Sequence, residues 1–370
     1  ENIFNEASEQ GYKVKYSKNL KEKCEIGFYP QDKYVKPNSK LSVVMLHGMD
    51  QGRVHWPNHW SKEPWNKYDI GFLPGKSWSK RWNECSWDPF AHTRKGVYEV
   101  GWPKSDKIFE DSFSNTMTSL KDDFKLKYRK SILYAPSFES NNQQIEIGKI
   151  FKDLEVNLLI KHWLTDEDSA DFNYLKKNID EANKYLKTNI PNAFILNPHL
   201  DFMKCLALSD ILITDESSVL YEGFLFNVPT ISVSDFVMRT HGSKPARLVQ
   251  PSKECYRVVP KSKLLMAVNE ILDNKQHVFN EINEKKKYHY SNLGKSSKII
   301  MSILTDIISD NIYENNFKLK PKFKIKNYIL FLRPIKNIII KFLSLLPLGF
   351  IKIFSKNYFL KSQFNKIRKF

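Results

Sequence analysis

The 370 residues are 41% hydrophobic and 14% aromatic, which supplies apolar material for two buried cores and excludes a disordered chain. The formal net charge of +17 points to a nucleic-acid binder until its position is considered: residues 317–370 hold fourteen Lys and Arg and no Asp or Glu, and setting these aside leaves residues 1–316 at +3. The surplus therefore belongs to a terminal segment of a nearly neutral body, and the scattered Cys24, Cys85, Cys205 and Cys255 fit a reducing compartment instead of a disulfide framework.

The chain opens on the charged, helix-like ENIFNEASEQG, where a signal peptide would be basic and then apolar, so a cytoplasmic location is expected. A doubly wound domain starts on a strand, so this opening helix suggests that a first strand precedes the sequence. Short β-branched or aromatic runs then alternate with helical patterns, which predicts parallel sheets built from βαβ units. YKVKYS, EIGFYP, LSVVMLHG, YDIGFLPG and VYEVGW form a first group of strands, and SILYAPSF, VNLLIKHW, AFILNP, DILITD and TISVSD a second. The polar, helix-competent SDKIFEDSFSNTMTSLKDDFKLKYRK separates them and puts a boundary near Lys130. The expected fold is α/β: two Rossmann-like domains, residues 1–130 and 131–316, facing each other across a cleft. Helical periodicity in KSKLLMAVNEILDN and SSKIIMSILTDIISD predicts helices over the second sheet. Beyond Asn316, Pro321, Pro334 and Pro347 punctuate apolar runs that Lys interrupts every few residues. The charge-free stretch from Phe342 to Ile351 is far short of the roughly 20 residues of a spanning helix. Residues 317–370 therefore read as a basic amphipathic tail whose partner is an anionic membrane surface, not nucleic acid, at the cytoplasmic face of the cell membrane.

The segment ALSDILITDESSVLYEGFLFNVPTISVSD reads as strand, tight polar turn, helix and strand. Ligands of open α/β sheets bind at the carboxyl ends of strands, which puts Thr214 to Ser218 in a crevice. Ser217 and Ser218 open the following helix, where free backbone N–H groups attract a pyrophosphate; Glu222, one turn on, is placed for ribose hydroxyls. Ordinary capping by Asp215 or Ser217 is an equally good account of the turn taken alone.

TDESSVLYEGFLFNVPTI resembles the signature of the CDP-glycerol glycerophosphotransferase family, the teichoic acid and capsule polymerases. Further matches follow in order: LHG at Leu46–Gly48, VGWPKSD at Val100–Asp106, LYAPSF at Leu133–Phe138, IKH at Ile160–His162, and Asp201 and Asp210 ahead of the turn. The resemblance covers about residues 40–235 and implies a GT-B fold. It also implies metal- and cofactor-independent transfer of glycerol phosphate, or a related polyol phosphate, from a CDP-linked donor to a surface glycan or its lipid-linked precursor, with release of CMP. It places catalytic histidines at His47 and His162, both after apolar strand runs where an imidazole can take a hydroxyl proton or steady phosphate charge. Donor contacts fall on Pro136, Ser137, Thr214, Asp215, Ser217, Ser218 and Glu222. The sequence departs from the family at MDQGRVHWPNHW after LHG, Glu139 after LYAPSF, Trp163 after His162, and Glu216 where Tyr is usual. These departures flank the donor and acceptor sites and leave the transferred group open. A GT-B glycosyltransferase using a nucleotide sugar, or a non-catalytic glycan-binding module, are the alternatives.

Arg239, His241, Lys244 and Arg247 follow the last strand of the donor half and form a candidate phosphate clamp or a solvated charged loop. His55, His59, Trp56, Trp60, Trp65, Trp78, Trp82 and Trp87 suggest an aromatic acceptor wall, although packing is the commoner use of such residues. No Cys/His spacing marks a metal site, and neither a DxD motif nor a Gly-rich phosphate loop occurs.

Overall fold

A computed structural model describes residues 2–17, 19, 22–31, 37–50, 59–137, 142–162, 170–239, 245–309 and 316–321. The first half comprises α1 (Asn2–Glu9), β1 (Cys24–Gln31), β2 (Ser39–Leu46), α2 (His59–Lys62), β3 (Ile70–Leu73), α3 (Lys76–Glu84), β4 (Gly96–Glu99), a 3-10 turn at Pro103–Phe109, and α4 (Asp111–Phe124). Its sheet is parallel throughout, in the order β1-β2-β3-β4. In β2 and β3 consecutive residues are buried, Val43 and Val44 alike, because helices cover both faces of a parallel sheet. The run Tyr12–Ser17, expected as a strand, pairs with no strand among the described residues: Tyr12 and Val14 pack half-buried against the first core, Lys13 and Lys15 are exposed, and Tyr16 is 80% exposed.

The second half comprises β5 (Ser131–Tyr134), α5 (Gln143–Phe151), β6 (Asn157–Ile160), α6 (Ala170–Asn189), β7 (Ala193–Ile195), α7 (Phe202–Ala207), β8 (Ile211–Thr214), α8 (Val219–Leu225), β9 (Thr230–Val233), the antiparallel pair β10 (Val237–Met238) and β11 (Arg247–Leu248), and β12 (Arg257–Val259). Its parallel sheet runs β12-β9-β8-β5-β6-β7. The five expected strands are present. β12 is a sixth, too short and too charged at its flanks for periodicity to mark. Strand order reverses between β5 and β8, which makes the gap beyond their carboxyl ends the topological switch point where such sheets bind ligands.

Three helices close the molecule: α9 (Leu264–Asp273), α10 (Lys275–His289) and α11 (Ser296–Ile308). α9 buries Ala267, Val268 and Ile271 against the second core. α11 crosses back to the first sheet, where Ile300, Met301, Ile303 and Leu304 pack with Val43, Ile70, Phe72 and Tyr98. Asp106 of the VGWPKSD motif caps this returning helix, accepting from the backbone N–H groups of Ser296 (3.1 Å) and Ser297 (2.7 Å). Gly101, at φ +102°, lies against the Ser291 carbonyl and the Ser296 hydroxyl, where a Cβ has no room. The start of the basic segment is also built in. Glu99 N–H donates to the Phe317 carbonyl at 2.9 Å and Leu319 N–H to the Val97 carbonyl at 2.8 Å, so residues 317–319 run antiparallel along β4. The amphipathic runs of residues 322–370 lie outside the described residues. No helix among the described residues is long and apolar enough to cross a membrane.

Candidate active site

The carboxyl ends of β5 and β8 are laced together. Thr214 Oγ1 donates to the Ala135 carbonyl at 2.6 Å, and Ser137 N–H donates to Asp215 Oδ2 at 2.7 Å. Ser232 of β9 holds the Asp215 carbonyl from the other side at 3.0 Å. Thr214 and Asp215 are thus buried buttresses that fix the Ala135–Pro136–Ser137 loop beside the turn, with Pro136 buried and Ser137 half-buried. Ser217 and Ser218 stand at the front of that turn. The Val219 N–H reaches Ser217 Oγ only at 3.4 Å, and Ser218, the residue before α8, makes no side-chain capping bond.

The loop after β2 closes on this turn from the opposite domain. A Cβ on Gly48 would stand 3.5 Å from Ser218 Oγ, and Tyr221 Oη donates to Asp50 Oδ1 at 3.3 Å. His47, one residue before Gly48, is exposed. Trp78 holds the same loop from beneath: its Nε1–H donates to the Met49 carbonyl at 3.0 Å. Trp60, Trp65, Trp78 and Trp82 are all buried to 2% exposure or less. Trp60 meets Trp65 and Trp78 edge-on at 6.0 and 6.4 Å, with His59 buried against Trp60 and Trp78. These four tryptophans are core and not an acceptor wall, because neighbouring apolar surface encloses their rings. Trp87 is half-buried, and His55 and Trp56 lie outside the described residues.

His162 follows β6 and, unlike His47, is buried. Its Nε2 meets Gln144 Oε1 at 2.5 Å, and Gln144 Nε2 in turn donates to Asn183 Oδ1 at 2.6 Å. Burial, and then the charge of Lys161, push the imidazole down to about 4, so the ring is neutral near pH 7. Lys161 is itself buried and donates to the carbonyls of His162 (2.8 Å) and Pro198 (2.7 Å); burial lowers its pKa.

Two lysines of the Pro103–Phe109 turn reach across the cleft. Lys104 Nζ binds Glu222 Oε1 at 2.6 Å, and Lys107 binds Asp201. Burial raises the Asp201 pKa, but the hydrogen bonds from Lys107 and Met203 N–H, with the charges of Lys107 and Lys104, hold it below the ordinary carboxylate value. Glu222 Oε2 is buried without a hydrogen-bond partner among the described residues. Glu216, where the family pattern has Tyr, is gripped by Arg247 through both guanidinium nitrogens and by Gln250 N–H at 2.8 Å. Arg247 is therefore tied to the turn. Arg239 directly follows β10, while His241 and Lys244 lie outside the described residues. Among the described residues no group of three or more His, Cys, Asp or Glu is placed to hold a metal. Sequence reasoning passed over Gln144 and Lys161. The adjacency of Lys161 to His162 was a signal within reach, whereas a Gln eighteen residues upstream was not.

Residues 58–237 match the model of a family described as CDP-Glycerol:Poly(glycerophosphate) glycerophosphotransferase. That span contains His162 and the TDESS turn and leaves His47 outside. Teichoic acid poly(glycerol phosphate) polymerases of Bacillus spizizenii and Bacillus subtilis are 24% and 25% identical over 269 and 251 residues. These alignments cover 62% and 60% of this chain but 63% and 33% of the relatives, so the chain spans less than two thirds of their length. Solved structures of the wall teichoic acid polymerase TagF, including a variant soaked with CDPG, share the fold at TM-score 0.50. Identity to the first of these is 15%, over 78% of this chain and 74% of the other. A protein of Listeria monocytogenes described as a UDP-N-acetylglucosamine 2-epimerase does so at TM-score 0.51 and 14% identity, over 75% and 70%. The architecture is thus the GT-B type, shared by enzymes of different chemistry.

Proposed function

We propose, for a chain whose residues 58–237 match the CDP-glycerol:poly(glycerophosphate) glycerophosphotransferase family, that it transfers glycerol phosphate from CDP-glycerol to a hydroxyl of a surface glycan or its lipid-linked precursor. The observation that carries this reading is the approach of the Gly48 loop of one domain to Ser218 of the other at the β5/β8 switch point. A diphosphate in that gap meets the backbone N–H groups and two hydroxyls not committed to strong caps, Ser217 and Ser218. Pro136 and Ser137 border it, and Glu222 serves the ribose by exchanging its Lys104 contact for a sugar hydroxyl. The acceptor oxygen bonds to the β-phosphorus, its proton passes to the imidazole of His47 or His162, and the bond to the bridging oxygen breaks with its electrons leaving on CMP. Arg239 and His241 are proposed to steady the departing phosphate, and the segment 322–370 to hold the enzyme on an anionic leaflet where a lipid-linked acceptor resides. The teichoic acid polymerases it resembles, one of them soaked with CDPG, support the donor assignment.

The test is a donor panel. CDP-glycerol, CDP-ribitol and UDP-, GDP- and CMP-sugars are offered with a lipid-linked acceptor while nucleotide release is followed. CMP release from CDP-glycerol with a new phosphodiester in the product is the expected result; turnover of a nucleotide sugar alone would overturn the reading while leaving the fold as described.

A further inference from the structure

We propose that Gln144 is the positioning residue for His162, holding its ring as the tautomer protonated on Nε2 and leaving Nδ1 as its one proton-accepting atom. The inference rests on the reading of His162 as part of the transfer site, and extends it to a residue that no motif marks.

The geometry is a relay of three side chains, from α5, α6 and the residues that follow β6. Gln144 is fully buried in the first turn of α5, and its amide nitrogen donates to Asn183 Oδ1 on α6 at 2.6 Å. That bond turns Oε1 toward His162 Nε2, 2.5 Å away. An amide oxygen only accepts, so the ring nitrogen facing it carries the proton. Lys161 pins the backbone at the same point through the His162 carbonyl and ties it to the Pro198 carbonyl. A carboxylate at position 144 would draw the ring toward its cation; a neutral amide holds its direction without doing so, in keeping with a ring that burial and the Lys161 ammonium keep neutral. The consequence is chemical. A neutral ring whose proton is committed to Gln144 has a lone pair for a hydroxyl proton and nothing to donate to a phosphate oxygen. His162 is thereby matched to the hydroxyl-bearing part of the reactants, and the proton it receives lands on Nδ1.

The test reads the tautomer directly, by nitrogen NMR of protein labelled with ring-¹⁵N histidine, with His162 assigned by its loss in His162→Gln. The expected spectrum is a proton on Nε2 and a bare Nδ1; a proton on Nδ1, or an even mixture, would overturn the proposal. In Gln144→Glu the carboxylate must accept from the same nitrogen, so the tautomer stays and the titration midpoint rises by at least about one pH unit; an unmoved midpoint would contradict the contact. Asn183→Ala, at a half-exposed helix position, frees the amide to turn, and a second tautomer should appear in a folded protein; a spectrum unchanged from wild type would remove Asn183 from the relay. With CDP-glycerol, Gln144→Leu should lower kcat on the order of tenfold or more at unchanged donor KM, and Gln144→Glu should recover part of it with the acid limb of the rate profile moved upward. Because the tautomer is read without substrate, the two ideas fail separately. A wild-type protein with no turnover defeats the transferase reading alone, and normal turnover with a proton on Nδ1 defeats this proposal alone.

Discussion

His162 should make folding stability pH-dependent in a definite window. Burial and Lys161 lower its pKa from 6.5 to about 4, and 6% of the residue is exposed, so solvent screening removes little of the effect. The group's folded pKa lies below its unfolded one, so as pH falls the unfolded chain binds the proton first. Stability from the neutral ring is complete above about pH 6.5 and is lost as pH falls through about 4. A depression of about two and a half units at 1.36 kcal/mol each gives a loss of about 3 kcal/mol across that window. His162→Gln removes the titrating group and keeps a polar side chain beside Gln144. Denaturant unfolding of both proteins between pH 7.5 and 4 isolates the term, because acid-side losses from carboxylates such as Glu254, held at about 2 first by its hydrogen bond from His289, are common to both. The variant should lose about 3 kcal/mol less than wild type over this range. Parallel curves would mean that the ring is not held neutral by its surroundings.

Ser217→Ala with Ser218→Ala should weaken CDP and CMP binding by about 1–3 kcal/mol in calorimetric titration, since two hydroxyl donors are lost at the turn; unchanged affinity would reduce the serines to helix-capping residues. Trp60→Ala should cost about 3–5 kcal/mol in unfolding free energy, as expected of a fully buried ring; near-normal stability with weakened acceptor binding would restore the acceptor-wall reading. Deletion of residues 322–370, which keeps the 317–319 pairing with β4 and removes twelve of the fourteen tail cations, should release the protein from anionic vesicles in flotation while CDP binding persists. Each basic residue near such a surface is worth about 1 kcal/mol, so retained flotation would put the membrane contact elsewhere.

The sheets were legible because buried parallel strands are continuous apolar runs: SVVML, IGFL, SILY, NLLI and ILIT each became a strand. The TDESS turn fell at the switch point because the strand before it and the helix after it were both marked by pattern. Tyr12–Ser17 misled because alternation shows only that one face is buried: Tyr12 and Val14 do pack on the first core, but alternation says nothing about whether a neighbouring strand pairs with the backbone. The tryptophans were ambiguous for a related reason, since burial depends on what covers a ring and not on the ring. Residues 317–319 looked like the start of a basic tail, yet their backbone completes the edge of β4, a contact made by N–H and C=O groups that every residue carries. Gln144 was beyond reach because its contact with His162 depends on where α5 packs against the end of β6, which no local spacing encodes.

The central claim is that the two strand-end histidines perform group transfer in the cleft between the domains. Its most direct measurement is CMP release from CDP-glycerol, with a lipid-linked acceptor, by His47→Ala and His162→Ala. Each variant should bind CDP-glycerol comparably to wild type and release CMP about a hundred- to ten-thousand-fold more slowly; full turnover by both variants would contradict the account.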